Sequence, residues 1–187
     1  MAITNSSASS SSNSSQTRHP IIGLGGEAPK LAVYLANRPP LPQYDALKEY
    51  RPMSAGEIGF IAYETGNHWR KIFNVYAKLA FQLDAQGYDT WQSLRDESLL
   101  QVSSPYGLFF NAPSIDDSGF IQLVLGKTYA ASLDLAAPIH WVEDYIGRIA
   151  STSLWIVPYF DYRQLSDLKL KTLCELLKSR HPEIRAN

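Results

Sequence analysis

Residues 106–133 read YGLFFNAPSIDDSGFIQLVLGKTYAASL, and this stretch decides the fold class. Tyr106 to Phe110 and Ile121 to Leu125 are apolar runs too short for a useful helix, bounded by Pro105, Pro113 and Gly119, so both read as buried strands. The second run passes through Gly126 into Lys127-Thr128-Tyr129-Ala130-Ala131-Ser132-Leu133, whose small residues suit a helix. Strands that are apolar throughout instead of alternating are buried on both faces, as in a parallel sheet covered by helices.

The flanking sequence extends this pattern. Upstream, Leu31-Ala32-Val33-Tyr34-Leu35-Ala36 reads as a strand ended by Asn37-Arg38-Pro39-Pro40-Leu41-Pro42, where three prolines forbid both helix and central strand. Downstream, Leu154-Trp155-Ile156-Val157 reads as a fourth strand. Between them, Trp69, Ile72, Phe73, Tyr76, Leu79, Ala80 and Leu83 recur at helical spacing after Thr65-Gly66-Asn67 and stop at Gln86-Gly87. A shorter helix is expected from Asp89-Thr90, and a last one from Ser166-Asp167, with Leu170, Leu173, Cys174 and Leu177 on one face and an end at His181-Pro182. Lys48 to Tyr63 reads as irregular and Pro138 to Arg148 as a variable stretch. The expected architecture is α/β: a three-layer α/β/α domain with a mostly parallel four-stranded central sheet, spanning 21–187 behind a disordered serine-rich tail, 1–20. In such sheets ligands sit at the carboxyl ends of the strands, which directs attention to 37–42, 111–114, 126–128 and 158–166.

Composition bounds the function classes. The 187 residues are 45% hydrophobic and 19% charged with a net charge of -1, which excludes a wholly disordered chain and a globally basic nucleic-acid binder. No run of 18 apolar residues is present, the single cysteine allows no disulfide framework, and the serine tract lacks the apolar core of a secretory signal. A cytoplasmic monomer that does not enter the membrane is expected.

Several motifs fail on mechanism. Gly23-Leu24-Gly25-Gly26-Glu27-Ala28 matches a dinucleotide fingerprint in letters, but it precedes a strand instead of following one. Gly126-Lys127-Thr128 resembles the end of a phosphate-binding loop, yet Ile121 stands where the first glycine is needed. His19, His68, His140 and His181 have no partners at ligand spacing, so neither a metal nor a cofactor is expected. Cys174 lies on an apolar helix face and reads as core. Tyr159-Phe160-Asp161-Tyr162 stands out, because aromatic residues at a strand's carboxyl end are costly to expose and so line a pocket or partner surface.

Four segments, in order, resemble the uracil-DNA glycosylase superfamily, nearest its mismatch-specific uracil/thymine branch. Val33 to Leu41 is similar to the branch's first strand and Gly-Ile-Asn-Pro-Gly-Leu loop, with Asn37 at the place of the water-positioning asparagine. Gly66-Asn67-His68-Trp69 resembles its Gly-Asn-x-Phe-Trp helix start. Tyr106 to Pro113 resembles its Gly-[Val/Phe]-Thr-[Asn/Lys] strand end, and Val124-Leu125-Gly126-Lys127 the strand that enters a Gly-Lys helix. Leu154 to Pro158, continuing through Gln164-Leu165-Ser166, resembles its last strand, Asn-Pro-Ser-Gly-Leu-Ser loop and closing helix. Two loops depart from the pattern: Arg38 and Pro39 replace proline and glycine, and Tyr159-Phe160-Asp161 replaces Asn-Pro-Ser, placing a carboxylate where a phosphate would be repelled.

The resemblance implies a monofunctional DNA glycosylase that hydrolyses the N-glycosidic bond of a flipped pyrimidine. In that reading Asn37 orients water, Tyr63, Phe109 or Trp69 stacks on the base, and Asn111 reads its edge. Arg38, Lys127 and Arg163 meet the DNA, and Tyr159, Phe160, Asp161 and Tyr162 line the pocket. Ordinary roles stand beside these: a loop residue for Asn37, a turn cap for Asn111, a solvated surface residue for Arg163. The alternative is a non-catalytic nucleobase-binding or protein-interaction module on the same fold, favoured by the near-neutral charge and the altered last loop.

Overall fold

The structure, a computed structural model, describes residues 21–115 and 119–184. The expected serine-rich tail lies outside them. Eight strands are present: β1 (Gly23–Gly25), β2 (Leu31–Tyr34), β3 (Tyr50–Arg51), β4 (Tyr106–Phe109), β5 (Ile121–Leu125), β6 (Ile139–Glu143), β7 (Ile146–Ile149) and β8 (Leu154–Val157). Six helices accompany them: α1 (Pro42–Asp45), α2 (Glu57–Thr65), α3 (Asn67–Leu83), α4 (Trp91–Glu97), α5 (Lys127–Ser132) and α6 (Asp167–Arg180).

The expectation of a four-stranded sheet is wrong. All eight strands join one mixed sheet in the order β3-β1-β4-β2-β5-β8-β7-β6. The four strands read from the sequence lie side by side at its centre, β4-β2-β5-β8, all parallel. Two short strands extend one edge: β1 pairs antiparallel with β4 and parallel with β3. The antiparallel β6–β7 hairpin extends the other, through β8. These four strands carry no long apolar run, because two of them are only three and two residues long and β6 is mostly exposed.

The pleat divides the side chains between two cores. Leu31, Val33 and Leu35 face the same side as Leu123, Leu125, Trp155 and Val157, and there they meet residues of α2, α3, α4 and α6. Ala32, Tyr34, Val124 and Ile156 face the other side, where α5 contributes Ala130 and Leu133, Leu135 and Ala137 complete the cover. The two faces are therefore covered unequally. Helix α3 is fixed to the sheet by hydrogen bonds as well as packing: the Tyr76 hydroxyl donates to Gly107 O (2.7 Å) and the Tyr106 hydroxyl to Ala80 O (3.1 Å). Lys48 to Tyr63, expected to be irregular, contains β3 and most of α2, whose Ile58 and Ile61 are buried.

Chain order places the site. From β2 the chain adds β4 on one side and later returns to add β5 on the other, so the parallel order reverses between β2 and β5. A crevice opens at the carboxyl ends of strands at such a reversal. Helix α6 starts beside that end and runs back, so that His181 Nε2 accepts from the Trp155 indole N–H (3.2 Å) near the start of β8.

Candidate functional site

A cleft of about 840 Å³ occupies this place. Ala36 and Asn37 enter it from the end of β2, Leu125 to Tyr129 from the β5–α5 junction, and Pro158 and Tyr159 from the end of β8. Arg163, Gln164 and Lys169 close one side and Tyr145, at the tip of the β6–β7 hairpin, another. Gly126 makes the strand-to-helix corner with φ of 91°, a conformation that favours glycine.

The cleft is positive. Lys127, Arg163 and Lys169 line it, no carboxylate does, and none of the three makes an ion pair among the described residues. Lys127 Nζ instead donates to Asp144 O (2.5 Å) and lies 4.2 Å from the centre of the Trp141 ring. Lys169 Nζ donates to Gln164 O (3.2 Å) and lies 4.7 Å from the Tyr145 ring. Both lysines are thus held by carbonyls and ring faces, contacts that a phosphate could exchange at modest cost.

The loop after β8 sends its residues in different directions. Asp161, expected to repel a phosphate, accepts from Lys71 Nζ (2.8 Å) and from the Arg163 backbone N–H (2.9 Å). The Lys71 hydrogen bond, then the Arg163 amide, hold its carboxyl below the usual carboxylate range. Its charge is cancelled at the source. Phe160 is fully buried and packs against Tyr76, and Tyr162 lies outside the cleft under the Lys78 ammonium (5.2 Å). Tyr159 alone of the four lines the cleft. Its hydroxyl is 3.1 Å from His68 Nε2, and the two rings stack with centroids 5.7 Å apart. Burial, then the Asp161 charge, push the Tyr159 phenol up to about 12, so it stays neutral and protonated at physiological pH.

The remaining sequence-predicted residues divide between the cleft and the scaffold. Asn37 is exposed in the cleft, and its amide has no hydrogen-bond partner among the described residues. Arg38 donates through Nη1 to the carbonyls of Tyr44, Asp45 and Leu47 and so ties off the end of α1. Asn111 accepts from the Ile22 backbone N–H (2.9 Å) and donates to Ala112 O, joining the start of β1 to the end of β4. Phe109 is buried, with Tyr34, Tyr50 and Phe120 edge-on around it. Tyr63 is exposed on α2 and does not line the cleft.

Sequence reasoning missed Tyr145, Lys169 and His68. Lys169 had a usable signal, since it sits one turn into a capped helix beginning at the carboxyl edge. Tyr145 had none, because the hairpin that carries it was read as a variable stretch.

A family match covers residues 22–178, which includes every residue that lines the cleft. The chain belongs to DUF6942, a family of unknown function. No curated protein and no solved structure matches it. Within this DUF6942 member, no group of three His, Cys, Asp or Glu side chains among the described residues could hold a metal ion. No helix among them is long and apolar enough to cross a membrane.

Proposed function

We propose that the cleft binds a nucleobase together with a phosphate, and that the protein acts on the N-glycosidic bond between base and sugar, as the resemblance to uracil-DNA glycosylases implies. The observation that carries the reading is the convergence of three cations, the Tyr159 ring and the Asn37 amide, which has no hydrogen-bond partner among the described residues, on one cleft at the strand-order reversal. The cations suit phosphate oxygens. The ring suits the flat face of a base, and the amide supplies one donor and one acceptor.

The chemistry asked of the site is modest. Water adds at C1′ while the C1′–N bond breaks, the electron pair leaves with the base, and the base takes up the proton that the water loses. The sugar becomes cationic on the way, so a polar group that holds the water in line at C1′ lowers the barrier by positioning. Asn37 is that group in this reading. A second reading, binding without hydrolysis, draws support from the engagement of Phe109, Asn111 and Arg38 in the scaffold. We take the protein to act as a cytoplasmic monomer, a setting in which the buried Cys174 stays a thiol.

Single-turnover assays on labelled duplexes with uracil or thymine opposite guanine, alongside binding titrations at two salt concentrations, test the reading. Base release establishes hydrolysis. Salt-dependent binding without release supports the second reading, and the absence of both for DNA and for free nucleotides removes the nucleobase assignment.

Lys71 supplies a further prediction. Lys71→Met uncovers the Asp161 carboxylate beside Arg163, so anion affinity should fall severalfold at pH 7. Without Lys71 the carboxyl returns toward its ordinary pKa of about 3.9, and the defect should shrink as the pH drops through that value. Affinity measured for both proteins at pH 7 and pH 3 checks this, and an equal defect at both pH values would sink the explanation.

A further inference from the structure

The positive charge of the cleft is confined, and its confinement bears on the size of the ligand. Lys127, Arg163 and Lys169 come from α5, the loop after β8 and α6, and meet in one cleft. Carboxylates occur on the segments that flank the cleft. The hairpin that forms one wall turns through Glu143 and Asp144, and Asp134 follows α5, all three exposed. On the side of α3, Lys71 is ion-paired with Asp161 and Lys78 with Asp167. Lys30 precedes β2 and Arg180 ends α6, so both lie at the opposite end of the sheet.

A protein that holds duplex DNA neutralises a series of phosphates along a groove, on the order of 6–10 contacts for a typical site. Three cations in one cleft do not make such a groove. The further phosphates of a strand would meet no comparable set of cations, and the exposed carboxylates of Asp134, Glu143 and Asp144 on the neighbouring segments disfavour them. One phosphate dianion, by contrast, matches the three cations well.

We infer that the cleft takes a free nucleoside monophosphate, not a nucleotide within a DNA strand. This rests on the nucleobase reading above and names its substrate class. The phosphate lies among Arg163, Lys169 and Lys127, and the base lies on the Tyr159 ring. His68 is a positioning residue: its hydrogen bond to the Tyr159 hydroxyl and its stacked ring fix the plane that the base meets.

The test is a calorimetric titration of the full chain with four probes: deoxyuridine monophosphate, deoxyuridine, inorganic phosphate, and a 20-base-pair duplex containing uracil. The monophosphate should bind at least tenfold more tightly than the nucleoside, the phosphate or the duplex. Arg163→Ala and Lys169→Ala should each weaken it at least tenfold at an unchanged melting temperature. His68→Ala should weaken the monophosphate severalfold but leave inorganic phosphate unaffected, and His68→Gln, which can again bond the phenol, should restore part of the loss. Tighter binding of the duplex than of the monophosphate, lost in Arg163→Ala, overturns the inference and leaves the nucleobase reading standing. Phosphate binding as tight as the monophosphate, or no binding by any probe, overturns both.

Discussion

Glu57→Ala should destabilise the protein by about 3 kcal/mol, because it removes the shared acceptor of a part-buried polar network. Glu57 Oε1 accepts from the Tyr44 hydroxyl (2.8 Å) and Arg51 Nη2 (2.7 Å), and Oε2 from Arg51 Nη1 (3.1 Å) and the Ser54 backbone N–H (2.8 Å). One carboxylate thereby joins α1, β3 and the first turn of α2, at a side-chain exposure of 11%. The effect reaches the cleft indirectly, since α2 packs on α3 and the first turn of α3 supplies His68 and Lys71. For a domain of this size the loss corresponds to a drop of roughly 10 °C in Tm.

The pH dependence of that prediction has a definite sign. Burial by itself raises the Glu57 pKa, but the bonds from Arg51, Ser54 and Tyr44 outweigh it and leave the carboxyl below its ordinary value. A folded pKa below the unfolded one, about 4.3, means that the contribution is complete above the unfolded value and vanishes as the pH falls through the folded one. The stability gap between wild type and Glu57→Ala, read from urea melts, should be constant from pH 8 to about pH 5 and narrow at lower pH. A gap under about 0.5 kcal/mol at pH 7 would mean that the network adds nothing beyond its solvated equivalent.

Asn37→Ala should lower single-turnover base release at least a hundredfold, equivalent to about 2.7 kcal/mol of transition-state stabilisation. The side chain lies in the cleft and bonds to no other described residue, so its removal should leave Tm unchanged, a separation that a structural asparagine would not show. Ground-state binding of the monophosphate should change little, because the amide serves the water and not the phosphate. Parallel losses in binding and Tm would reassign Asn37 to the scaffold. Unchanged release would remove it from the chemistry.

The centre of the sheet was legible because strands buried on both faces must be apolar at each position, as Leu154-Trp155-Ile156-Val157 is. Helix α3 was legible for the corresponding reason, since nine of its residues are buried on one face. The edges were not. Gly23-Leu24-Gly25 is a strand because Gly23 and Gly25 have backbone atoms of β4 within 3 Å of where a Cβ would stand, a reason that no local propensity encodes. Tyr50-Arg51 is a strand only because β1 lies beside it.

The site divides along the same line. The expectation that the strand carboxyl ends carry function brought together Asn37, Lys127, Tyr159 and Arg163. Asn111 and Arg38 occur at equally suggestive places in the sequence. Their side chains, however, meet backbone groups of residues 22 and 44–47, and those partners come within reach only once the chain is folded.

Strand β1 is a wedge: the first residues of the domain sit inside the sheet, between β3 and β4, not on its rim. Gly23 N bonds to Glu49 O on one side and Phe110 N to Ile22 O on the other, so this short segment holds two distant parts of the chain together. The domain therefore has no expendable amino-terminal margin beyond this point. A truncation that removes residues 21–25 strips β3 of its partner and bares the edge of β4.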